Sequence, residues 1–336
     1  MESKYYHISQ EGKCNTMTTF DEALAAAKKG GYIWLIYIHP TKEELSPLID
    51  ALGLHPLAIE DCTDENQIPK IEDYPQHTFI LFNSFKYINK ILMISEVDLL
   101  MGGNFLVTVY SNDDNRSSLQ DIERIIKLDS DNIRLGPSFL AHILLDQIVD
   151  LKFQATEALE DEINHVEDVI INNLACFNPA DLLHHRRDLS AFRKSLFHER
   201  EVLVKIYRKD CKYISEKALL FYRDIYDHLT KLFELTESSR DTVNSLMEMY
   251  LSMLNNQMAK SANEMNATVR RLTFITTIFM PLTLLAGIGG MSEWTMMTGP
   301  ANWKIAYPAF LIAMVVIGVI NYYFLKWLEK KRPEIG

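Results

Sequence analysis

Two long stretches near the C-terminal end carry no charged side chain, and they restrict the fold of this chain more than any other feature. Residues 272–292 and 305–325 are each twenty-one residues without Asp, Glu, Lys or Arg, bounded by Arg271 and Glu293 and by Lys304 and Lys326. At about 1.5 Å rise per residue, a helix of that length covers roughly 30 Å, the thickness of a bilayer's hydrocarbon core. In lipid every backbone N–H and C=O must be satisfied within the protein, and two unclosed segments achieve that only as helices. The alternative is two buried helices of a soluble domain, which seldom run so far without a polar face. The chain is therefore expected to cross a membrane twice.

Charge sets the expected orientation. Arg270 and Arg271 precede the first run, Lys326, Lys330, Lys331 and Arg332 follow the second, and the loop at 293–304 holds only Glu293 and Lys304. By the positive-inside rule both ends lie in the cytosol, with the protein multi-pass in the cytoplasmic membrane. No apolar stretch precedes residue 32, so a cleavable leader is not expected. The formal net charge of −11 argues against a nucleic-acid partner and suits a protein that handles cations. Cys14, Cys62, Cys176 and Cys211 are scattered without a CxxC, which favours reduced thiols over zinc or disulfides. Phosphate-loop, nucleophile and metal-ligand motifs are all lacking, so neither an enzyme nor a resident cofactor is expected.

Punctuation divides the region before the spans. Residues 1–130 contain five of the eleven prolines and six of the thirteen glycines, with strand-like runs at 32–38, 78–85, 91–100 and 105–110 and helical patterns at 20–29 and 43–52. This predicts an α/β domain over 1–135 with a mixed or antiparallel sheet, turning at Gly102-Gly103-Asn104. Beyond Gly136 no glycine occurs until Gly287, and Pro137 and Pro179 are the only prolines before Pro281. A helical hairpin over 136–212 is expected, with arms 139–174 and 180–210 broken near Pro179. A third helix starts near Ser215, forms a stalk over 213–271 and continues into the first span with a kink at Pro281. Its length, on the order of 100 Å, exceeds what one globule buries and fits a symmetric assembly. The hairpin acids Glu157, Glu160, Asp161, Glu162, Glu167 and Asp168 and the bases Arg186, Arg187, Arg193 and Lys194 read as solvated faces with cross-arm ion pairs, and His165, His184 and His185 as surface residues.

The long helix carries two faces. Val243, Leu246, Met247, Tyr250, Leu254 and Met258 form an apolar packing seam, either within the chain or in an oligomer. Nearer the membrane, Asn255, Ala262, Asn266, Val269, Thr273, Thr276, Met280, Thr283 and Gly287 recur at steps of three, four and seven, and none is charged. Such a face either packs helices through small residues and hydroxyls or surrounds an aqueous path when several copies assemble. Its continuation through Asn255 and Asn266, outside the apolar run, favours a path.

At this point the residues point to a family. Tyr-Arg-Asp-Ile-Tyr-Asp-His-Leu at 222–229, Tyr-Leu-Ser at 250–252, Thr-Ile-Phe-Met-Pro-Leu-Thr at 277–283, Leu-Ala-Gly-Ile-Gly-Gly-Met at 285–291, and Trp303 with Tyr307-Pro308 closely resemble the CorA-type divalent cation transporters. Weaker likeness extends upstream through 54–61, 69–72 and 96–107. The resemblance implies an α+β membrane protein assembled as a funnel-shaped homopentamer. Its stalk helix becomes the pore-lining span (272–292), the second span (305–325) packs outside it, and 326–336 is a basic cytosolic tail. Asn266, Leu272, Met280, Thr283, Gly287 and Gly290 match pore-lining positions, and Thr276 lies on the same face. Mg²⁺ is the implied cargo, with Co²⁺ or Ni²⁺ as companions, and Leu272 and Met280 would close the tube by dewetting.

The chain departs from the family pattern in three places. The signature Gly-Met-Asn stands here as Gly290-Met291-Ser292, followed by Glu293, at the expected selectivity mouth, and the outer loop reads Thr-Met-Met-Thr-Gly-Pro at 295–300. Asp224 and Glu248 match stalk carboxylates that bind regulatory metal between subunits, yet the partner position near Ile88-Asn89 holds no carboxylate. The stalk has seven extra residues between Tyr250 and Leu272, two helical turns that preserve the face. Two alternatives stay open: a transporter of Zn²⁺ or another transition metal on the same fold, and a non-conducting membrane scaffold or sensor.

Overall fold

The computed structural model describes residues 2–64, 67–111, 126, 130–290, 299 and 302–331. They fall in two compact units, Met1–Tyr250 and Leu251–Gly336. The first holds a seven-stranded sheet of β1 (Glu2–Ile8), β2 (Cys14–Met17), β3 (Tyr32–Ile38), β4 (Ile71–Asp73), β5 (Thr78–Ile88), β6 (Ile91–Met101) and β7 (Phe105–Tyr110). Their order is β2-β1-β3-β7-β6-β5-β4, and only β3 and β7 run parallel. The mixed sheet expected from the sequence is present. Every residue of β3, Tyr-Ile-Trp-Leu-Ile-Tyr-Ile, is buried, as befits a central strand covered on both faces.

One face carries α1 (Phe20–Ala27), α2 (Lys42–Leu45), α3 (Pro47–Leu52) and α4 (Pro56–Asp61). Ala23, Leu45, Leu48 and Ile59 pack there with Leu35, Phe79, Leu81 and Val107. The helix expected over 43–52 is two helices, because Pro47 opens a new one at its first turn. Between α1 and β3 the chain passes Gly31 at φ +83°, where a Cβ would lie 2.1 Å from the Ile8 carbonyl oxygen; only glycine fits. At the far end of β5 and β6, Asn89 and Lys90 both take positive φ, the two-residue turn that suits the twist of a hairpin.

The other face is covered by α6 (Pro137–Asn172), which follows the short α5 (Ser130–Ile133) and lies along β5, β6 and β7. A 3₁₀ turn at Leu174–Cys176 separates it from α7 (Pro179–Tyr207). Asn178 caps α7 by accepting the Ala180 N–H at 3.1 Å, and Pro179 occupies the first turn, where its missing N–H costs nothing. The hairpin break thus falls where the sequence places it.

Between the two arms and β5 lies a fully buried ion pair, Lys152–Glu199. Glu199 also accepts the Asn83 N–H at 3.0 Å and the Ser195 hydroxyl at 3.2 Å, while the Lys152 ammonium sits 5.2 Å from the Phe82 ring centroid. Burial lowers the Lys152 pKa and Glu199 opposes that shift. The cross-arm pairs expected among the surface charges run elsewhere: Glu162 meets Lys90 of the β5–β6 turn, and Arg193 meets Glu237 of the next helix. His185 is also not a surface residue. It is 5% exposed, because its place on α7 turns it inward, and burial lowers its pKa.

His77 is wholly buried, stacked on Tyr74 at 4.8 Å, and its pKa is pushed down to about 4 by burial and by the neighbouring His55. A histidine held neutral in the fold but free to charge near pH 6.5 when unfolded contributes stability above that pH and loses it as pH falls toward about 4. The cost at pH 5 relative to pH 7 is about 2 kcal/mol. The apparent Tm of a His77→Phe chain is therefore expected to fall less between pH 7 and pH 5 than the parent's; equal losses would exclude His77 as the cause.

The long helix α8 (Leu219–Gly289) begins four residues beyond Ser215, whose hydroxyl accepts the Ala218 N–H at 3.3 Å. It runs through Pro281 without a break in helical assignment. In the first unit Val243 and Leu246 are buried and Tyr250 meets the Phe177 ring at 5.1 Å. Farther along the expected stripe, Met258 is 64% exposed in the single chain. The second unit consists of the remainder of α8 and α9 (Trp303–Lys331).

Candidate functional site

Among the described residues two helices are long and apolar enough to cross a membrane, Leu219–Gly289 through its C-terminal part and Lys304–Trp327. Within the second unit they pack through one stripe on each. On α8 the half-covered residues are Phe274, Ile278, Pro281, Leu282, Leu285 and Gly289, and on α9 they include Phe310, Met314, Ile317, Gly318 and Asn321. At about 100° per residue, the α8 stripe is centred roughly opposite Met280 and Gly287.

The predicted face is therefore the one that α9 leaves open. Asn266, Leu272, Thr276, Met280, Thr283, Gly287 and Gly290 are all exposed, and Met280 reaches 76%. Met280, Thr283, Leu284, Gly287 and Ile288 line a shallow open groove, and no atom lies within 4 Å of where a Gly287 Cβ would stand. Met291, Ser292 and Glu293, the expected mouth, lie outside the described residues.

Hydrogen bonding gives this face a definite polarity. Thr273 donates its hydroxyl proton to the Val269 carbonyl at 2.9 Å, Thr276 to Leu272 at 3.0 Å and Thr283 to Phe279 at 2.8 Å. A threonine hydroxyl has one proton and two lone pairs. With the proton turned back into the helix, each oxygen offers its neighbours only acceptor capacity. A hydrated cation turns water protons outward, so acceptors are what its shell requires.

The stalk carboxylates Asp224 and Glu248, expected to meet metal across a subunit boundary, both lie in the first unit. Asp224 and Glu248 are both exposed on α8 and stand 24 residues apart, roughly 36 Å along the helix. Asp224 lies close enough to Asp146 and His142 of α6 to influence both. Burial raises the Asp146 carboxyl, with His228 opposing and Asp224 reinforcing the shift; burial also raises Asp150, reinforced by Asp146. His142, Asp146 and Asp150 line a cleft of about 190 Å³ together with Phe221. These α6 residues were missed in the sequence, although their spacing of four puts them on one helical face. Among the described residues no group of three or more His, Cys, Asp or Glu is arranged to hold a metal ion within one chain.

The family model for the CorA-like Mg²⁺ transporter protein matches residues 29–331. The chain belongs to the CorA family. It is 31% identical over 286 residues to the cobalt/magnesium transport protein CorA of Thermotoga maritima, covering 82% of this chain and 77% of that one. A second CorA relative, the cobalt/magnesium transport protein of Methanocaldococcus jannaschii, is 25% identical over 300 residues, covering 88% of this chain and 91% of that one. The complete structure of the CorA magnesium transporter from Methanocaldococcus jannaschii shares the fold with a TM-score of 0.69 at 22% identity, covering 97% of this chain and 98% of that chain. The CorA match spans both the sheet-bearing unit and the two apolar helices.

Proposed function

We propose that this CorA-family chain is a transporter, not an enzyme, that moves divalent cations passively across the cytoplasmic membrane, with Mg²⁺ the leading cargo and Co²⁺ or Ni²⁺ as companions. Five copies place the Asn266–Gly290 face of α8 around one aqueous path, with both termini in the cytosol. One observation carries this reading. The face left open by α9 is uncharged and presents threonine oxygens whose protons are already committed to the helix backbone. Enclosed by several copies, that face suits the water shell of a passing cation. Magnesium surrenders its inner waters reluctantly, so outer-sphere contact with Thr283 and Asn266 fits it better than direct ligation. The driving force is the ion gradient and the membrane potential, about 2.3 kcal/mol per charge per 100 mV.

Ion-resolved uptake into proteoliposomes, with subunit number read by native mass, tests the proposal. Voltage-driven Mg²⁺ entry into vesicles holding pentamers is expected; a monomer, or an impermeable pentamer, would contradict it, the latter leaving a scaffold. Co²⁺ or Zn²⁺ entry in preference to Mg²⁺ would shift the cargo, as Ser292 in the signature permits. Thr283→Val keeps the side-chain shape and removes the outward acceptor. Losing one hydrogen bond to the shell is worth about 1 kcal/mol, so flux is expected to drop about fivefold with assembly unchanged. Undiminished flux would exclude Thr283 as a contact of the hydrated ion.

A further inference from the structure

The packing of α9 against α8 includes two glycine contacts, one on each helix. A Cβ built at Gly289 would lie 2.7 Å from Cζ of Phe310 and 3.1 Å from its Cε1, so the ring fills the space a side chain would occupy. Two turns away, Gly318 of α9 accepts the Cδ1 of Leu282 at 3.5 Å from its would-be Cβ. A side chain at position 289 would require the Phe310 ring to move, whereas the second contact is at ordinary van der Waals distance. Gly289 is helical, so what it supplies is room and not a special φ. The contacts are seven residues apart on α8, about 10 Å along the axis, and both lie on its covered side.

Three neighbouring glycines consequently differ in role. Gly287 has open space around its Cβ position, Gly289 holds the Phe310 ring, and Gly290 closes the helix, its N–H donating to the Ala286 carbonyl at 2.9 Å. We infer that Phe310 docked on Gly289 is the positioning contact that sets the rotation of α8, holding the Met280–Thr283–Gly287 face away from the second span. The same contact anchors the last helical turn before the segment that begins at Met291. Gly289 and Phe310 need not touch the ion; they act through Thr283, Gly287 and Gly290. Because rotation of α8 decides which oxygens meet the water shell, the pair bears on discrimination between cations as well as on rate. The inference rests on the reading of that face as the ion path.

A double-mutant cycle in proteoliposomes separates this from ordinary packing. Gly289→Ala presses a methyl group against the edge of the Phe310 ring, and overpacking of this kind is expected to lower Mg²⁺ flux per pentamer about tenfold and to change the Mg²⁺-to-Co²⁺ flux ratio. Phe310→Ala, which leaves the glycine intact, removes the docked ring and is expected to change the ratio in the same direction. In the Phe310→Ala background, Gly289→Ala is expected to be harmless, within about threefold, because the methyl then has space. The ratio is the informative readout, since a fraction of misfolded chains scales both fluxes equally. Native mass reports assembly for each variant. Additive effects of the two substitutions, or an unchanged ratio in both single variants that assemble, would overturn the inference while the parent still conducts. A silent parent would overturn the ion-path reading itself. Should Gly289→Ala fail to assemble, recovery of assembly by the added Phe310→Ala supports the docking, and continued failure of the double variant counts against it.

Discussion

The Met280→Asp chain is expected to pass divalent cations roughly tenfold or more faster than the parent, the lower end of what a like-charged constriction adds by concentrating counter-ions. Met280 is the large apolar residue centred on the open face of α8, 76% exposed in the single chain and one turn before Thr283. A ring of thioethers in a narrow tube holds no water well, and an ion that cannot keep its shell does not pass. The carboxylate reverses both conditions, wetting the constriction and attracting cations. The measurement is Mg²⁺ entry into proteoliposomes at fixed voltage and fixed pentamer number. Flux no higher than the parent's, in a variant of correct native mass, would remove Met280 from the gate.

Lys152→Met is expected to lower the apparent Tm by about 10 °C, from a loss of about 3–5 kcal/mol. The substitution leaves Glu199 charged, wholly buried and without its cation, although the Asn83 N–H and the Ser195 hydroxyl still donate to it. Removing one member of a buried pair costs far more than removing both, because the desolvated charge remains. The double variant Lys152→Met/Glu199→Leu is accordingly expected to recover most of the loss. Thermal melting of the detergent-solubilised chain, followed through the sheet-bearing unit, reads both. Equal losses in the single and double variants would show that the pair's charge is not what matters there. Glu199 joins α7 to α6 and β5 in one hydrogen-bonded group, so the same substitution tests whether the hairpin is held to the sheet at this point.

Much of the architecture was legible before any coordinates. Strands β3, β5, β6 and β7 declare themselves by dense β-branched and aromatic residues, and the α6–α7 break by Asn178-Pro179, because these signals are local. Strands β1 and β2 were not legible. Glu-Ser-Lys-Tyr-Tyr-His-Ile carries little strand preference, and it is extended because Tyr5 and Tyr6 pair with Leu35 and Trp34 of β3. What covers the stripe within the first unit was equally hidden: Val243 and Leu246 are buried and Tyr250 meets the Phe177 ring.

What the sequence determined by itself is the pair of membrane-crossing helices and the uncharged face on the first. Both follow from a single chain's own periodicity, since a helix in lipid satisfies its backbone internally and its faces recur every three to four residues. Only the tertiary structure decided which face is covered, with Phe310 packed on Gly289, and brought Asp224 close enough to His142 and Asp146 of α6 to influence both. Those choices depend on residues far apart in the chain whose pairing is selected by shape and burial, and a one-dimensional pattern holds the stripes without naming their partners.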